Sequence, residues 1–419
     1  MRISYAKKLL KVVLIFAIIL GLIGCEEKKE KFSIKEEQLF PQGLGVSIHT
    51  GVSERDIQSI ADAGFKWVRL DIFWDRVEKK KGYYDFKTTG YDELDKWLKK
   101  RNITPYYILD YSNPIYEKNR SIVTKEGREA FAKFAKVTTH RYKNQGAIWE
   151  IWNEPNLGIF WETKPSAKPY TALVKKVAPV IREQDPTGLV VGPAISTLNE
   201  DGINWLKGVL KLNITKYIDA VSVHPYRTTG PETVSEDYKK LRTLVNEYSD
   251  KDMPIISGEW GYSMAHKDLP LTETQQAKYM ARMFLTNAQE GIPVSIWYDW
   301  KNDGTNLQDK EHNFGLVFND STMKLSYLTL QTLTTQLKGY KFEKKINYGR
   351  KDNHILEFRN SKDERILVFW TTGETYKFSY PLEEGEGKLY SMLGGMQNFR
   401  WKDHLEFNIS SSPSYLVIK

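Results

Sequence analysis

Cysteine is nearly missing from this 419-residue chain: Cys25 is the only one, so no disulfide closes a loop within it. Histidine is scarce, and the seven present show no paired spacing of the kind that holds a metal. There is no Gly-x-Ser-x-Gly elbow, the signature of a nucleophilic serine on an α/β sheet. No block of lysine and arginine is long enough to suggest nucleic acid, and no internal repeat indicates a solenoid. Asp299 to Gly304 has the outline of a calcium loop, but Lys301 stands at a ligand position and Lys310 replaces the closing glutamate. No cofactor is implied.

Aromatic residues are plentiful. They make up 13% of the chain, with 12 Trp and 24 Tyr. That supply suits a large core, and equally a cleft that stacks the flat apolar faces of a ligand. The length is too great for one small core and suits a barrel of roughly 250–300 residues plus a smaller domain.

Residues 1–24 read as a secretory signal: Arg2, Lys7, Lys8 and Lys11 precede or interrupt the apolar run Leu9 to Ile23. The run ends Leu22-Ile23-Gly24-Cys25, which resembles the lipobox of bacterial lipoproteins and implies lipidation of Cys25 and a membrane attachment there. Loss of the four basic residues takes the formal charge from +8 to +4, only mildly basic. Residues 25–40 are charged and poorly patterned, and read as a tether that holds the domain off the membrane.

From 41 to 338, strand and helix patterns alternate. Expected strands are 43–49, 66–72, 104–110, the stretch 149–156, 188–192, 218–224, 253–259 and 293–299. The helices between and after them are 53–63 (capped by Ser53), 91–101, 125–142, 170–183, 202–211, 234–248, 272–289 and 326–338. Eight strand–helix pairs in order predict an α/β fold, a closed parallel (β/α)8 TIM barrel, because each parallel connection needs a covering helix. The count, with no Gly-rich phosphate turn after the first strand, argues against an open doubly wound sheet. Residues 339–419 change to short alternating runs and predict a small C-terminal antiparallel β domain, a β-sandwich.

A barrel of this kind carries its chemistry at the C-terminal strand ends. Those ends supply His49, Arg69 with Asp71, Asp110 with Asn113, Asn153 with Glu154, His224 with Tyr226, Glu259, and Trp297 with Asp299. Glu154 closes Trp149-Glu150-Ile151-Trp152-Asn153-Glu154-Pro155-Asn156, and Pro155, which lacks an N–H, is expected to end that strand. Glu259 closes Ile255-Ile256-Ser257-Gly258-Glu259 in the same manner on strand seven, across the ring. Glycoside hydrolysis needs such a facing pair of carboxyls, one to protonate the leaving oxygen and one to act at the anomeric carbon.

Trp152-Asn153-Glu154-Pro155-Asn156, with Glu259-Trp260-Gly261 about a hundred residues on, resembles clan A of the retaining glycoside hydrolases. Asn156-Leu157 continuing to Phe160-Trp161 is similar to family 39 of that clan, as are Gly45-Val46-Ser47-Ile48-His49, Val223-His224-Pro225-Tyr226 and Trp297-Tyr298-Asp299-Trp300. The resemblance implies Glu154 as acid/base, Glu259 as nucleophile and Asn153 on the sugar's 2-hydroxyl. Beside these, Arg69 is expected to keep Glu259 ionised, and His224 and Tyr226 to orient the nucleophile or a hydroxyl. His49 and Asn113 are candidate substrate contacts. Trp297, Trp161, Trp260 and Trp300 are candidate sugar platforms. The expected activity is endo-cleavage of a cell-surface polysaccharide by a monomer anchored through Cys25 outside the cytoplasm of a bacterium. The alternatives are an exo-acting β-xylosidase type and a carbohydrate-binding barrel without catalysis. Such barrels usually lose one carboxylate, and both are present here.

Overall fold

The computed structural model describes residues 32, 34, 38–162 and 164–418. The signal segment and Cys25 lie outside the described residues. Eight strands form the barrel: β1 (Leu44–Ser47), β2 (Trp67–Phe73), β3 (Thr104–Asp110), β4 (Ile148–Ile151), β5 (Leu189–Ser196), β6 (Ala220–His224), β7 (Ile255–Trp260) and β8 (Ser295–Trp297). They pair in parallel, each with its neighbour in sequence, and β8 closes on β1. Covering helices follow each strand: α1 (Glu54–Asp62), α2 (Tyr91–Lys100), α3 (Lys125–Arg141), α4 (Ala167–Gln184), α5 (Glu200–Leu210), α6 (Val234–Asn246), α7 (Glu273–Gln289) and α8 (Leu325–Gln336). Ser53 caps α1 as expected: it accepts from the Asp56 amide while Asp56 accepts from the Ser53 amide.

The barrel is layered. Trp67, Ile148, Leu189 and Ala220 begin their strands and meet Ile256, Val294 and Ile296 in an apolar floor. Ile34 closes that floor from outside, and Phe32 lies edge-on to Trp67 at 5.0 Å. Part of the stretch expected to be a tether is therefore docked. Its two apolar residues remove surface from water at the open lower end of the barrel. Two residues along β2 and β4, on the same inward face, stand Arg69 and Glu150.

After α8 come β9 (Lys341–Lys345), β10 (Asn353–Arg359), β11 (Arg365–Thr371), β12 (Tyr376–Pro381), β13 (Gly385–Tyr390), β14 (Met396–Trp401), β15 (His404–Ile409) and β16 (Ser414–Ile418). Six form an antiparallel sheet in the order β9-β10-β11-β16-β13-β14, and β12 pairs with β15. Period-2 alternation assigns the faces. Leu356, Phe358, Ile366, Val368 and Trp370 join the barrel's core, while Ile355, Leu367 and Phe369 pack with Phe378, Leu405 and Ile409 of the two-stranded sheet. In strands β9, β13 and β14 exposed charged and glycine positions mask the alternation.

Candidate active site

Strand β4 does not run to Pro155. It stops at Ile151, where Trp152 turns to φ 73° and Glu154 to φ 46°, both left-handed. Two backbone bonds hold this tip, Trp152 N–H to the Leu109 carbonyl and Glu154 N–H to the Ala194 carbonyl, each 3.1 Å. Such conformations cost about 1–3 kcal/mol each and persist where the surroundings fix them. Here neighbouring strands β3 and β5 do so, and the result aims Asn153 and Glu154 into the barrel mouth.

Glu259 is aimed by a different device. Between the Ser257↔Ser295 and Trp260↔Trp297 pairs, β7 spends one more residue than β8, which is a bulge. Gly258 sits in it because a Cβ there would collide with Ser222 Oγ and the Tyr106 hydroxyl. The extra residue turns Glu259 into the mouth and Trp260 outward to pack on Phe284 and Trp297.

A carboxylate oxygen of Glu154, one of Glu259 and a ring nitrogen of His224 all lie within 4.8 Å of one another. Retaining glycosidases hold their carboxyls ~5–5.5 Å apart, inverting ones ~6.5–9.5 Å to admit a water. Nearest oxygens within 4.8 Å favour the short spacing, which sequence alone did not give.

Their surroundings differ. Arg69 Nη1 donates to Glu259 Oε2, and the Tyr226 hydroxyl donates to Oε1 at 2.9 Å. Burial would raise the Glu259 pKa, but the Arg69 charge, then His224 and the Tyr226 bond, outweigh it and hold the carboxyl below its ordinary value. Glu154 Oε1 instead meets His224 Nδ1 at 2.8 Å. Arg69 Nη2 also lies 3.3 Å from His224 Nε2, but its two protons go to Glu150 and Asn153 at the shorter distance of 2.8 Å, so this approach is a contact and not a third bond. His224 serves Glu154 before Glu259, whose nearest oxygen is 3.9 Å away. Tyr226 orients Glu259, as expected.

Arg69 is the hub. It is buried, and besides Glu259 it donates from Nη2 to Glu150 Oε2 (2.8 Å) and Asn153 Oδ1 (2.8 Å) and from Nε to Glu150 (3.1 Å). Glu150 was not foreseen as part of the site. It is fully buried and also accepts from the Tyr106 hydroxyl at 2.8 Å. Its signal was the alternation Ile148-Trp149-Glu150-Ile151, which faces a charge into the barrel. Asn153 passes its remaining contact to the Tyr111 hydroxyl at 3.1 Å and lines the cleft beside Glu154.

The mouth opens as a cleft of about 770 Å³. A second cavity of about 420 Å³ continues past His49, Asp71 and Phe73, which line both. His49 is half-exposed, 3.2 Å from the Tyr298 hydroxyl and 3.6 and 3.5 Å from Asp299 and Asp303. These three groups, like Glu154–His224–Glu259, are close enough to hold an ion, though spacing is all that points to one. Asp110 is buried against Asp71, and burial together with that like charge pushes its carboxyl well above the ordinary range. Burial, with Asp303 as the leading like charge, does the same to Asp299.

Several expected contacts lie elsewhere. Asn113 is buried in a loop, bonded to the Glu78 carbonyl (2.8 Å) and the Ile115 amide (2.9 Å), so it shapes backbone and does not face sugar. Trp297, Trp161, Trp260 and Trp300 are all 2% exposed or less. Trp161 packs on Trp152 at 4.9 Å, and Trp300 bonds Asp56 Oδ1 at 3.1 Å. They are core residues, not platforms. The aromatic walls come instead from Phe73, Tyr111, Phe160, Tyr262, Tyr298 and Phe314, mostly on loops.

A closed parallel barrel with a buried and a partly buried glutamate this close at its mouth has the architecture of a retaining glycoside hydrolase. Residues 26–304 match the family model described as Cellulase (glycosyl hydrolase family 5), and the chain belongs to that family, within clan A. In three dimensions it is similar to a family 39 glycoside hydrolase from the gut symbiont Bacteroides cellulosilyticus WH2. That likeness has a TM-score of 0.79 and 25% identity, and covers 90% of this chain and 81% of that one. A family 30 endoxylanase from Clostridium papyrosolvens C71 shares the fold, with TM-score 0.65, 13% identity and 91% and 97% covered. A β-xylosidase of Geobacillus stearothermophilus is 25% identical over 170 residues, which is 36% of this chain and 33% of that protein. This chain thus spans about a third of the length of that curated relative.

Proposed function

We propose that Glu259 is the nucleophile and Glu154 the acid/base of a double displacement. In the first step Glu259, kept ionised by Arg69 and aimed by Tyr226, attacks the anomeric carbon. The glycosidic carbon–oxygen bond breaks, and Glu154 gives its proton to the departing sugar oxygen. In the second, Glu154 takes a proton from water as the water displaces Glu259, and the sugar leaves with its original anomeric configuration. The observation that carries this reading is the short spacing of two carboxylates with unlike partners, a guanidinium on one and an imidazole on the other. Asn153 beside Glu154 is the candidate contact for the sugar's 2-hydroxyl, and His49 for a hydroxyl in the adjoining wall.

The substrate is read as a cell-surface or extracellular polysaccharide, cut internally. A cleft that continues into a second cavity has room for sugars beyond the one attacked. Residues 1–25 support an anchor by lipid on Cys25 outside the cytoplasm of a bacterium, and the protein is read as a monomer. The relative named a β-xylosidase favours a second reading, exo-action on a β-xyloside. Digestion of a polysaccharide panel with product sizing separates the two. Oligosaccharide ladders are expected, and release of monosaccharide alone would reject the endo reading. Growth with labelled palmitate, followed by extraction, tests the anchor, which predicts label lost in Cys25→Ala.

A further inference from the structure

We propose that Arg120, held on the stacked rings of Tyr111 and Phe160, forms a subsite for an oxyanion carried by the glycan, so that this cleft takes an acidic polysaccharide. Tyr111 and Phe160 stack with centroids 5.8 Å apart and planes 11° from parallel. The guanidinium carbon of Arg120 sits 4.1 Å from the Tyr111 centroid and 5.8 Å from that of Phe160. All three residues line the cleft. The Tyr111 hydroxyl accepts from Asn153, so Arg120 stands one ring away from the residue beside Glu154.

The other lysine and arginine residues of the cleft wall have partners. Arg69 is paired with Glu150 and Glu259, Arg227 with Asp237 at 3.1 Å, and Lys310 with Glu311 at 3.6 Å. Among the described residues no carboxylate lies within ion-pair distance of the Arg120 guanidinium. Its side chain gives one hydrogen bond, Nη1 to the Ile159 carbonyl at 3.3 Å, which leaves Nε and Nη2 unspent. A guanidinium held over aromatic rings and tied to a backbone carbonyl has already lost part of the freedom that binding would remove, and its unspent N–H groups match two oxygens of a carboxylate or sulfate at once. Such groups reach a glycosidase cleft as uronic acids or sulfate esters. The proposal takes the position of the cleft from the glycosidase reading but does not depend on turnover.

The test is binding of the full-length Glu154→Gln protein to acidic polysaccharides: glucuronoxylan and hyaluronate for carboxylates, chondroitin sulfate for sulfate. Each is compared with its carboxyl-reduced or desulfated counterpart. At least one acidic polymer is expected to bind tenfold or more tighter than its neutralised form. Adding Arg120→Gln should erase that preference and leave the neutral affinity unchanged, and Arg120→Lys should restore part of it. Which neutralisation abolishes binding tells uronate from sulfate. Equal affinity for parent and neutralised polymers, or no acidic polymer bound, overturns the proposal without any variant. Equal loss of acidic and neutral binding in Arg120→Gln also overturns it. If the preference holds while the wild type cuts nothing, the subsite stands and the glycosidase reading falls.

Discussion

At the lower end of the barrel, Trp67, Ile148, Leu189 and Ala220 open their strands and close on Ile34. Two residues higher on β2 and β4 stand Arg69 and Glu150, and above them Asn153, Glu154 and Glu259. The same strands thus build a dry floor and a charged mouth. Burying an arginine and a glutamate is destabilising unless each charge is paired and bonded. The Arg69–Glu150–Tyr106 network meets that condition directly above the apolar layer. The floor excludes water from the network, and the network in turn fixes the groups that face substrate. The floor should therefore govern stability and the mouth activity, with Arg69 governing both.

The largest expected effects lie in the mouth. Glu154→Gln should lower kcat/KM by about 10²–10⁴-fold, the usual worth of a general acid, and Glu259→Gln by more. Both should keep the wild-type circular dichroism, and Glu154→Gln the melting temperature, while Glu259→Gln gives up the stability of its Arg69 pair; a collapse of the fold in either would undo the division between the two ends. Next comes Arg69→Met, which strands Glu150 in the interior and should cost about 3–5 kcal/mol in urea unfolding as well as activity. Arg69→Lys should rescue little, because one ammonium cannot reach Glu150, Asn153 and Glu259 together. Ile34→Ala, in the floor, should lose about 2 kcal/mol of stability at unchanged kcat/KM. A fall in kcat/KM there would show the two ends to be coupled.

The smallest effect concerns pH. The folded pKa of Glu259 lies below its unfolded value of 4.5, so the stability it contributes is present above that value. It is lost as pH falls through the folded pKa. Activity should follow the same ionisation, with the acid limb of kcat/KM below the ordinary glutamate range. Tyr226→Phe removes one bond to the ionised form and should move that limb up by about one pH unit, some 1.4 kcal/mol. An unmoved limb would mean that Glu154 or another group sets it.

Much of this division was legible in the chain. Eight apolar runs alternating with amphipathic ones give the barrel because period and order survive in sequence. Glu154 and Glu259 were legible because each ends such a run. The tryptophans misled. In sequence a Trp at a strand end looks the same whether its ring faces the cleft or a covering helix, and the bulge at Gly258 decides this for Trp260. Glu150 was visible in the alternation of β4, yet its partner Arg69 lies 81 residues away. The cleft's aromatic walls come from loops, where no period constrains which ring turns inward. Phe32 and Ile34 were hidden by the charged residues around them, since two apolar side chains make no pattern.

The assignment of roles is tested most directly by trapping the covalent intermediate. The wild-type chain is incubated with a panel of activated 2-deoxy-2-fluoro-β-glycosides, in which fluorine slows the second step, and digested for mass spectrometry. The account predicts an added sugar mass on the peptide containing Glu259, absent from Glu259→Gln and released on return to aqueous buffer with an acceptor sugar. A sugar mass on the peptide containing Glu154, or net inversion of configuration in the products of any glycan the enzyme cuts, would contradict it.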